Sequence, residues 1–325
     1  MQPVEKWRRE MQILVTGATG FVGRHVVNSW SQQLPEAEIW RLVHEGAEED
    51  LQSPTFFTGD LREAAVVRQV CQHLHPDWVV HLAAQSFVPD SLSDPQETWK
   101  TNLGGTFHLL EALREYGFTG RFLFVGSGDQ YGKVEEQDVP IRETQPLRPG
   151  NPYAASKAAA ELLCYQYSET YGFDVILARS FNHIGPGQSP RFVVSDFARQ
   201  VAQIELGMRE PVLRVGNLDV TRDFLAVHDV VDAYRALLER GRKGEVYNVC
   251  SGHEIRLLDL VTTLTGFSHH PIVIQVDPSR FRPSDTPRLC GNHDKLSQHT
   301  GWQPQREILA SLAEVFAYWK EELRR

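Results

Sequence analysis

Residues 11–23 of the chain read MQILVTGATGFVG, and this short stretch constrains the fold more than any other. Its first half predicts a buried apolar strand, and the glycines that follow have a GxxGxxG spacing. Glycine is needed where a chain turns tightly, approaches a pyrophosphate and packs a helix against a strand. A helix that begins there offers free N–H groups to phosphates. The residues expected to contact a bound dinucleotide are Gly17, Thr19, Gly20, Phe21, Val22 and Gly23.

Beyond this stretch, short apolar runs alternate with amphipathic segments as far as residue 180. The alternation predicts βαβ units around a parallel sheet that helices cover on both faces. After residue 180 the pattern loosens, and Pro and Gly cluster at 185–187 and 282–287. We therefore expect an α/β protein with a doubly wound parallel sheet (a Rossmann domain) and a smaller, mixed C-terminal domain that binds the substrate. The expected domains are 11–181 plus 219–250, and 182–218 plus 251–325.

The periodicity also predicts individual elements. The predicted strands span 12–16, 38–43, 55–58, 78–82, 121–125 and 175–179. The predicted helices span 22–34, 63–74, 97–116, 153–171, 192–206, 230–240, 257–264 and 307–322.

Composition excludes several classes of protein. With 325 residues, 41% hydrophobic and 23% charged, the chain can bury a core, and its length suggests about two domains. A net charge of −9 argues against binding to nucleic acid. The four cysteines are far apart, so no disulfide framework is predicted. The histidine pairs His73/His75 and His269/His270 lack carboxylate or thiol partners, so no metal site is predicted. No signal peptide or membrane-spanning run is present, so we expect a soluble cytoplasmic protein.

The end of the second predicted strand bears on the choice of cofactor. An NAD-binding fold usually carries an acidic residue there, which binds a ribose. This chain has no acidic residue directly at that tip, while Arg41 and His44 lie nearby. This favours NADP(H) over NAD(H), because the extra phosphate of NADP(H) repels a carboxylate. Glu45 is close enough that NAD(H) is the alternative. After the third strand, Asp60 and Leu61 are expected to border the adenine. Alternatively, Asp60 caps the following helix.

A second motif predicts acid–base chemistry. Tyr153 and Lys157 are four residues apart in a predicted helix, so they share one face. A lysine cation and a bound nicotinamide should lower the pKa of the tyrosine from its ordinary value of about 10. The pair could then exchange a proton with a sugar oxygen while a hydride moves on the cofactor. Ser127, at the C-terminal tip of a predicted strand, could donate a second hydrogen bond to that oxygen.

These motifs resemble the extended short-chain dehydrogenase/reductases that act on nucleotide sugars, over nearly the whole chain from residue 11. The segments that carry the resemblance are HLAAQSFV at 81–88, SGDQYG at 127–132, NPYAASK at 151–157, RSFNHIGPG at 179–187 and TRDF at 221–224. They are most similar to the GDP-mannose branch of that family. The resemblance implies an NAD(P)-dependent oxidoreductase that reduces the C4 ketone of GDP-4-keto-6-deoxy-D-mannose to GDP-D-rhamnose.

The resemblance also implies site residues and an assembly. Further cofactor contacts would come from Leu82, Ala83, Ala84, Gln85 and Asn102, together with Tyr153 and Lys157. Gln85 would also face the sugar, and Asn102 would alternatively position the backbone of the active site. Substrate contacts would come from Ser86, Asn182, His183, Arg222 and Arg288. The two arginines are expected to hold the diphosphate, because a guanidinium contacts phosphate through two donors, and Arg282 is a weaker candidate. Helices at 95–116 and 151–171 would pair across a twofold axis into the four-helix bundle of a homodimer.

The reaction itself has alternatives. A 4,6-dehydratase must also remove the C5 proton and expel the C6 hydroxyl, which requires an extra base and acid. Many dehydratases of the family carry Thr-Asp-Glu or Thr-Ser-Glu where this chain has Ser127, Gly128 and Asp129. Gly128 has no side chain, and the Asp129 carboxylate is one methylene shorter than that of glutamate. We therefore expect reduction, with GDP-mannose 4,6-dehydratase, an epimerase or a non-catalytic NAD(P)-binding regulator as alternatives. Asp129 takes part in catalysis, binds the sugar or stabilises the turn at the end of the strand.

Overall fold

The fold was obtained as a computed structural model that describes residues 10–44, 46, 55–281 and 287–325. Its strands are β1 (Met11–Thr16), β2 (Ala37–Val43), β3 (Phe56–Thr58), β4 (Trp78–His81), β5 (Arg121–Ser127), β6 (Asp174–Ser180), β7 (Asn182–Ile184), β8 (Val212–Val215), β9 (Thr221–Ala226), β10 (Val246–Val249), β11 (Glu254–Arg256), β12 (Val273–Val276) and β13 (Arg288–Leu289).

Helices alternate with these strands in the first half of the chain and separate them less regularly in the second. They are α1 (Phe21–Gln33), α2 (Ala64–His73), α3 (Val88–Ser93), α4 (Pro95–Trp99), α5 (Gly105–Glu115), α6 (Pro152–Tyr171), α7 (Val193–Glu205), α8 (Val227–Arg240), α9 (Leu257–Thr265), α10 (Asp294–Thr300) and α11 (Ile308–Glu322).

A seven-stranded sheet in the order β10-β6-β5-β4-β1-β2-β3 forms the centre of the protein, and all its pairs are parallel. Successive residues of β1 enter different cores, because neighbouring side chains of a strand point to opposite faces. Val15 packs with Trp30 of α1 and Leu237 of α8 on one face. Leu14 packs with Leu110 of α5 on the other. The predicted doubly wound α/β fold is confirmed.

The smaller unit is built on other strands. β7, β9, β11 and β13 form a second sheet, β8 pairs with β12, and α7, α9 and α11 enclose a separate apolar core. Within the segment 219–250, which the sequence assigned to the first domain, β9 belongs to this second sheet. By contrast, β10 belongs to the seven-stranded sheet, against which α8 packs.

The six strands predicted in the first half are confirmed, with ends displaced by at most two residues. The helix predicted over 97–116 is confirmed as one continuous helical run, in which a π-helical turn at Lys100–Gly104 joins α4 to α5. This irregular turn contains Asn102, whose side chain is hydrogen-bonded to the Gln85 backbone. The strands after residue 180 escaped prediction because they have only two to six residues and little alternation.

We expect Leu110→Ala to lower the free energy of unfolding by about 2–5 kcal/mol, because it opens a cavity between α5 and the sheet. Leu110 is completely buried, whereas Leu309 on α11 is 54% exposed. Leu309→Ala, the same chemical change in another helix, should cost less than about 1 kcal/mol. Urea unfolding followed by circular dichroism measures both, and equal losses would contradict the assigned core.

Candidate active site

A cavity of about 830 Å³ lies at the carboxyl ends of the parallel strands, which is where open α/β sheets bind ligands. Most of the predicted site residues line it. From the glycine loop and the tips of β3 and β4 these are Gly17, Thr19, Gly20, Phe21, Val22, Gly23, Asp60, Leu61, Leu82, Ala83, Ala84, Gln85 and Ser86. From the later elements they are Ser127, Asp129, Tyr153, Lys157, Asn182 and His183.

The glycine loop has no space for side chains at its key positions. Gly17 has a φ of +68°, and a Cβ there would lie 2.8 Å from the backbone of Ala83. A Cβ on Gly23 would lie 2.2 Å from the Gly17 carbonyl oxygen. Gly20 caps α1 without a side-chain hydrogen bond, so the N-terminus of α1 presents bare N–H groups to the cavity. This backbone cradle fits the pyrophosphate of a dinucleotide.

The structure corrects the alternative role of Asp60. α2 begins after Glu63, and Asp60 does not cap it. Instead, the Asp60 carboxylate accepts hydrogen bonds from the backbone N and Nε of Arg62, each at 2.8 Å, and lies 3.2 Å from His44 Nε2. Mainly through Arg62, these contacts lower the pKa of Asp60 to about 2. Asp60 therefore reaches the cavity wall as part of an ion pair.

Two cations of the cavity wall were missed from the sequence. Arg24 follows the last glycine of the loop, and Arg62 follows the Asp60-Leu61 pair; both line the cavity together with His44. Their position next to the two cofactor motifs is the signal that could have revealed them. Glu45, whose carboxylate was the argument for NAD(H), lies outside the described residues.

The predicted catalytic side chains converge. The Asn151 side chain accepts a hydrogen bond from the Ala154 N–H at 2.8 Å and Pro152 occupies the first turn, so α6 begins just before Tyr153. The side chains of Tyr153 and Ser127 lie close to each other, and both residues line the cavity. Lys157 is buried one turn further along α6, and its Nζ donates to the Val125 carbonyl oxygen at 2.8 Å.

The predicted effect of Lys157 on Tyr153 is not found in this structure. Burial is the largest influence and raises the pKa of Tyr153 above its ordinary value; Asp129 raises it further, and the Ser127 hydrogen bond opposes both. The lysine donates to a backbone carbonyl instead, and burial lowers its own pKa to about 8. Tyr153 is therefore protonated at neutral pH, which suits a residue that gives up a proton.

Asn102 has a supporting position instead of the direct cofactor contact that was expected. It is buried behind the cavity wall, where its Oδ1 accepts from the Gln85 N–H at 2.8 Å. Its Nδ2 donates to the Gln85 carbonyl at 3.0 Å and to Ser156 Oγ at 2.9 Å. Asn102 thus joins α6 to the chain that follows β4 and holds the Gln85 backbone in place.

Asn182 and His183 lie in the cavity wall on β7, as predicted. Asn182 Nδ2 is buried and has no hydrogen-bond acceptor among the described residues, so it is suited to contact a ligand. His183 Nδ1 donates to the Phe181 carbonyl at 2.9 Å, and burial lowers the pKa of its ring. The histidine is therefore neutral at pH 7.

Neither predicted diphosphate arginine lines the cavity. Arg222 Nη1 donates to the Thr221 carbonyl at 2.8 Å. Arg288 forms ion pairs with Glu254 and Glu136, both at 3.0 Å. The partners of Arg288 come from distant parts of the chain, so spacing in the sequence could not show that this cation is already neutralised. Arg282 lies outside the described residues.

Together, a Rossmann sheet, a glycine cradle and a Ser–Tyr–Lys set at the strand tips define a nicotinamide-dependent dehydrogenase or reductase. The chain belongs to the family described as GDP-mannose 4,6 dehydratase, whose profile matches residues 14–315. Across the parts of the chain that the structure describes, no group of three or more His, Cys, Asp or Glu side chains is arranged to hold a metal ion.

Comparison with individual proteins narrows the relationship. The chain is 42% identical to the GDP-6-deoxy-D-mannose reductase of Pseudomonas aeruginosa, over 96% of this chain and 98% of that protein. It superposes on the structure of RMD from Pseudomonas aeruginosa complexed with NADPH with a TM-score of 0.86 at 40% identity, covering 96% and 98% of the two chains. The UDP-glucose 4-epimerase of Thermus thermophilus, complexed with NAD, gives 0.85 at 31% identity, covering 95% and 99%. The predicted family resemblance is confirmed.

We expect Gly17→Ala to weaken NADPH binding by at least about tenfold, because the new Cβ collides with the Ala83 backbone where the pyrophosphate should rest. Gly207→Ala is the matched control, since Gly207 has the same φ of +68° but a Cβ added there would have no atom within 4 Å. NADPH fluorescence titration measures both affinities. Equal weakening in the two variants would show that backbone strain, and not crowding of the cradle, is responsible.

Proposed function

We propose that the protein reduces the C4 ketone of GDP-4-keto-6-deoxy-D-mannose to GDP-D-rhamnose with NAD(P)H. The observation that carries the proposal is the 42% identity with a GDP-6-deoxy-D-mannose reductase, which extends over nearly the whole of both chains. The site agrees with it, because a protonated Tyr153 and the neighbouring Ser127 line a cavity large enough for a cofactor and a sugar nucleotide.

The turn after β5 favours reduction over dehydration. A Cβ on Gly128 would lie 3.1 Å from ring atoms of Phe181, which is itself buried in a small apolar cluster. The aromatic ring thus fills the space that a proton-donating side chain at position 128 would need. Reduction of a ketone requires only one proton donor, so the single phenol of Tyr153 suffices.

The residues have separable tasks in this reaction. A bound nicotinamide cofactor supplies the hydride, and the glycine cradle and the N-terminus of α1 would hold its pyrophosphate. Tyr153 gives its proton to the C4 oxygen as negative charge develops there, and Ser127 donates a second hydrogen bond to the same oxygen. Lys157 would contact the nicotinamide ribose, while Ser86 and Asn182 would contact the sugar nucleotide. Burial of Tyr153 excludes water from the proton transfer.

Product analysis tests the proposal. Purified protein with GDP-4-keto-6-deoxy-D-mannose and NADPH should yield GDP-D-rhamnose, whereas GDP-mannose without added reductant should yield nothing. Formation of the 4-keto sugar from GDP-mannose alone would identify a dehydratase instead.

Tyr153→Phe should lower kcat by about 10²–10⁴-fold, because it removes the proton donor and little volume. NADPH affinity, measured by fluorescence, should stay nearly unchanged. Tyr318→Phe on α11, the same deletion of one hydroxyl outside the cavity, is the control and should keep wild-type turnover. Turnover by Tyr153→Phe at the wild-type rate would remove Tyr153 from the mechanism.

NADP(H) is proposed as the preferred cofactor. The cavity wall carries Arg24 and Arg62. Arg62 is paired with both Asp60 and Glu97, so Arg24 is the candidate to hold an additional phosphate. An additional phosphate on the cofactor ribose would be attracted by such guanidinium groups. The Pseudomonas aeruginosa structure contains NADPH, while that of the Thermus thermophilus epimerase contains NAD, so both cofactors occur on this fold.

Arg24→Ala should raise KM for NADPH by about tenfold or more and leave KM for NADH within about twofold, since a charge-assisted contact to the phosphate is lost. Arg68→Ala, which removes an exposed arginine paired with Glu115, should change neither value. Steady-state kinetics with both cofactors measures this difference. A parallel rise in both KM values would contradict a role in cofactor choice.

A homodimer through α5 and α6 is proposed as the assembly. The two helices and their neighbour α4 expose apolar side chains that a monomer would leave in water, among them Trp99, Phe107 and Leu162. Phe107 is 45% exposed and Leu162 is 62% exposed. Pairing of these helices across a twofold axis would cover such a surface.

No helix in the described segments is long and apolar enough to cross a lipid bilayer.

The double variant Phe107→Glu/Leu162→Glu should sediment as a monomer of about 36.9 kDa, because buried carboxylates oppose the pairing. The wild-type protein should sediment at twice that mass. Leu309→Glu places the same charge on exposed α11 and should stay dimeric. A monomeric wild-type protein, or a dimeric double variant, would contradict the proposed interface.

A further inference from the structure

Helix α6 contacts the tip of β5 along one face. Tyr153, Lys157 and Glu161 follow each other at intervals of four residues, so they lie above one another on the helix. Tyr153 lies next to Ser127 in the cavity wall, and Lys157 Nζ donates to the carbonyl of Val125. The third residue, Glu161, connects to the same strand tip through an intermediate side chain.

That intermediate is Gln130, in the turn that follows β5. Its Oε1 accepts from the Ser127 N–H at 2.7 Å, and its Nε2 donates to Glu161 Oε2 at 2.8 Å. An amide has both an acceptor and a donor, so a glutamine can join a backbone N–H to a carboxylate. The link is enclosed, because Gln130 is fully buried and a Cβ on Gly126 would lie 2.3 Å from its Oε1.

Glu161 is itself held rigidly. Its two carboxylate oxygens accept from Nη2 and Nε of Arg179 at 2.6 and 2.9 Å, and both side chains are buried. Arg179 Nη1 also donates to the hydroxyl of Tyr131 at 2.9 Å. A bidentate arginine–carboxylate pair fixes orientation as well as distance. The carboxylate that receives Gln130 therefore has a defined position relative to β6, the next strand of the sheet.

We propose that Gln130 is a positioning residue for the reaction, acting through the buried Glu161–Arg179 pair. It sets the backbone of Ser127 and so keeps the Ser127 hydroxyl against Tyr153, although Gln130 itself does not line the cavity. The kinetic part of this inference rests on the proposed reduction. The claim that Gln130 holds the Ser127 backbone N–H in a hydrogen bond does not depend on the identity of the substrate.

Gln130→Met tests the inference, because it keeps the length of the side chain and removes both hydrogen bonds while the ion pair stays intact. We expect kcat to fall by about tenfold to a hundredfold, since small displacements of a catalytic group are costly. KM for the sugar nucleotide and for NADPH should stay within about threefold, because Gln130 is buried behind the cavity and does not line it. An unchanged kcat, or a loss confined to KM, would overturn the positioning role.

Gln200→Met is the matched control. Gln200 is another buried glutamine, and it joins the backbone of Arg214 to the carboxylate of Asp196 in the smaller unit. It should suffer a similar loss of stability and keep the wild-type kcat. A kcat that falls equally in both variants would show a general effect of destabilisation and would contradict the inference.

Amide hydrogen exchange tests the hydrogen bond to the Ser127 backbone N–H without turnover. The Ser127 amide should exchange at least about tenfold faster in Gln130→Met than in the wild-type protein, and at the wild-type rate in Gln200→Met. Unchanged exchange would overturn the inference. If the wild-type protein failed to reduce the proposed substrate while exchange changed as expected, the proposed function would be wrong and the role of Gln130 would stand.

Discussion

The chemistry depends on the hydrogen bonds that hold helix α6 against the C-terminal end of strand β5. The Lys157 ammonium group donates to the Val125 carbonyl, and Glu161 reaches the Ser127 amide through Gln130. These contacts bring the phenol of Tyr153 and the hydroxyl of Ser127 together in a buried place. The glycine cradle lies at the same edge of the sheet, so hydride and proton can reach one carbonyl group from one cavity.

Burial also sets the resting protonation state of the two catalytic side chains. Removal from water penalises a charged phenolate more than a neutral phenol, so the pKa of Tyr153 is raised. The same desolvation lowers the pKa of Lys157 to about 8. A tyrosine that holds its proton at neutral pH is suited to give it to a developing alkoxide. Reductases, dehydratases and epimerases share this fold, so the small turn at Gly128 carries more information about the reaction than the sheet does.

The sequence predicted the features that depend on neighbours along the chain. The strand, loop and helix around Gly17 and the helical pairing of Tyr153 with Lys157 follow from local spacing. Features that depend on distant partners were not predictable. Arg288 is neutralised by Glu254 and Glu136. The orientation of Lys157 on α6 depends on the Val125 carbonyl of strand β5. The π-helical turn at Lys100–Gly104 likewise accompanies a contact with residue 85, on a different segment of the chain.

One isotopic measurement tests the central claim, that a nicotinamide delivers its hydride to a single sugar carbonyl in this site. GDP-4-keto-6-deoxy-D-mannose would be reduced with NADPH deuterated at both C4 positions of the dihydronicotinamide ring, and the product examined by NMR and mass spectrometry. We expect one deuterium per molecule, bound to C4 of the sugar. Product that lacks deuterium at C4, or carries it elsewhere on the sugar, would contradict the claim.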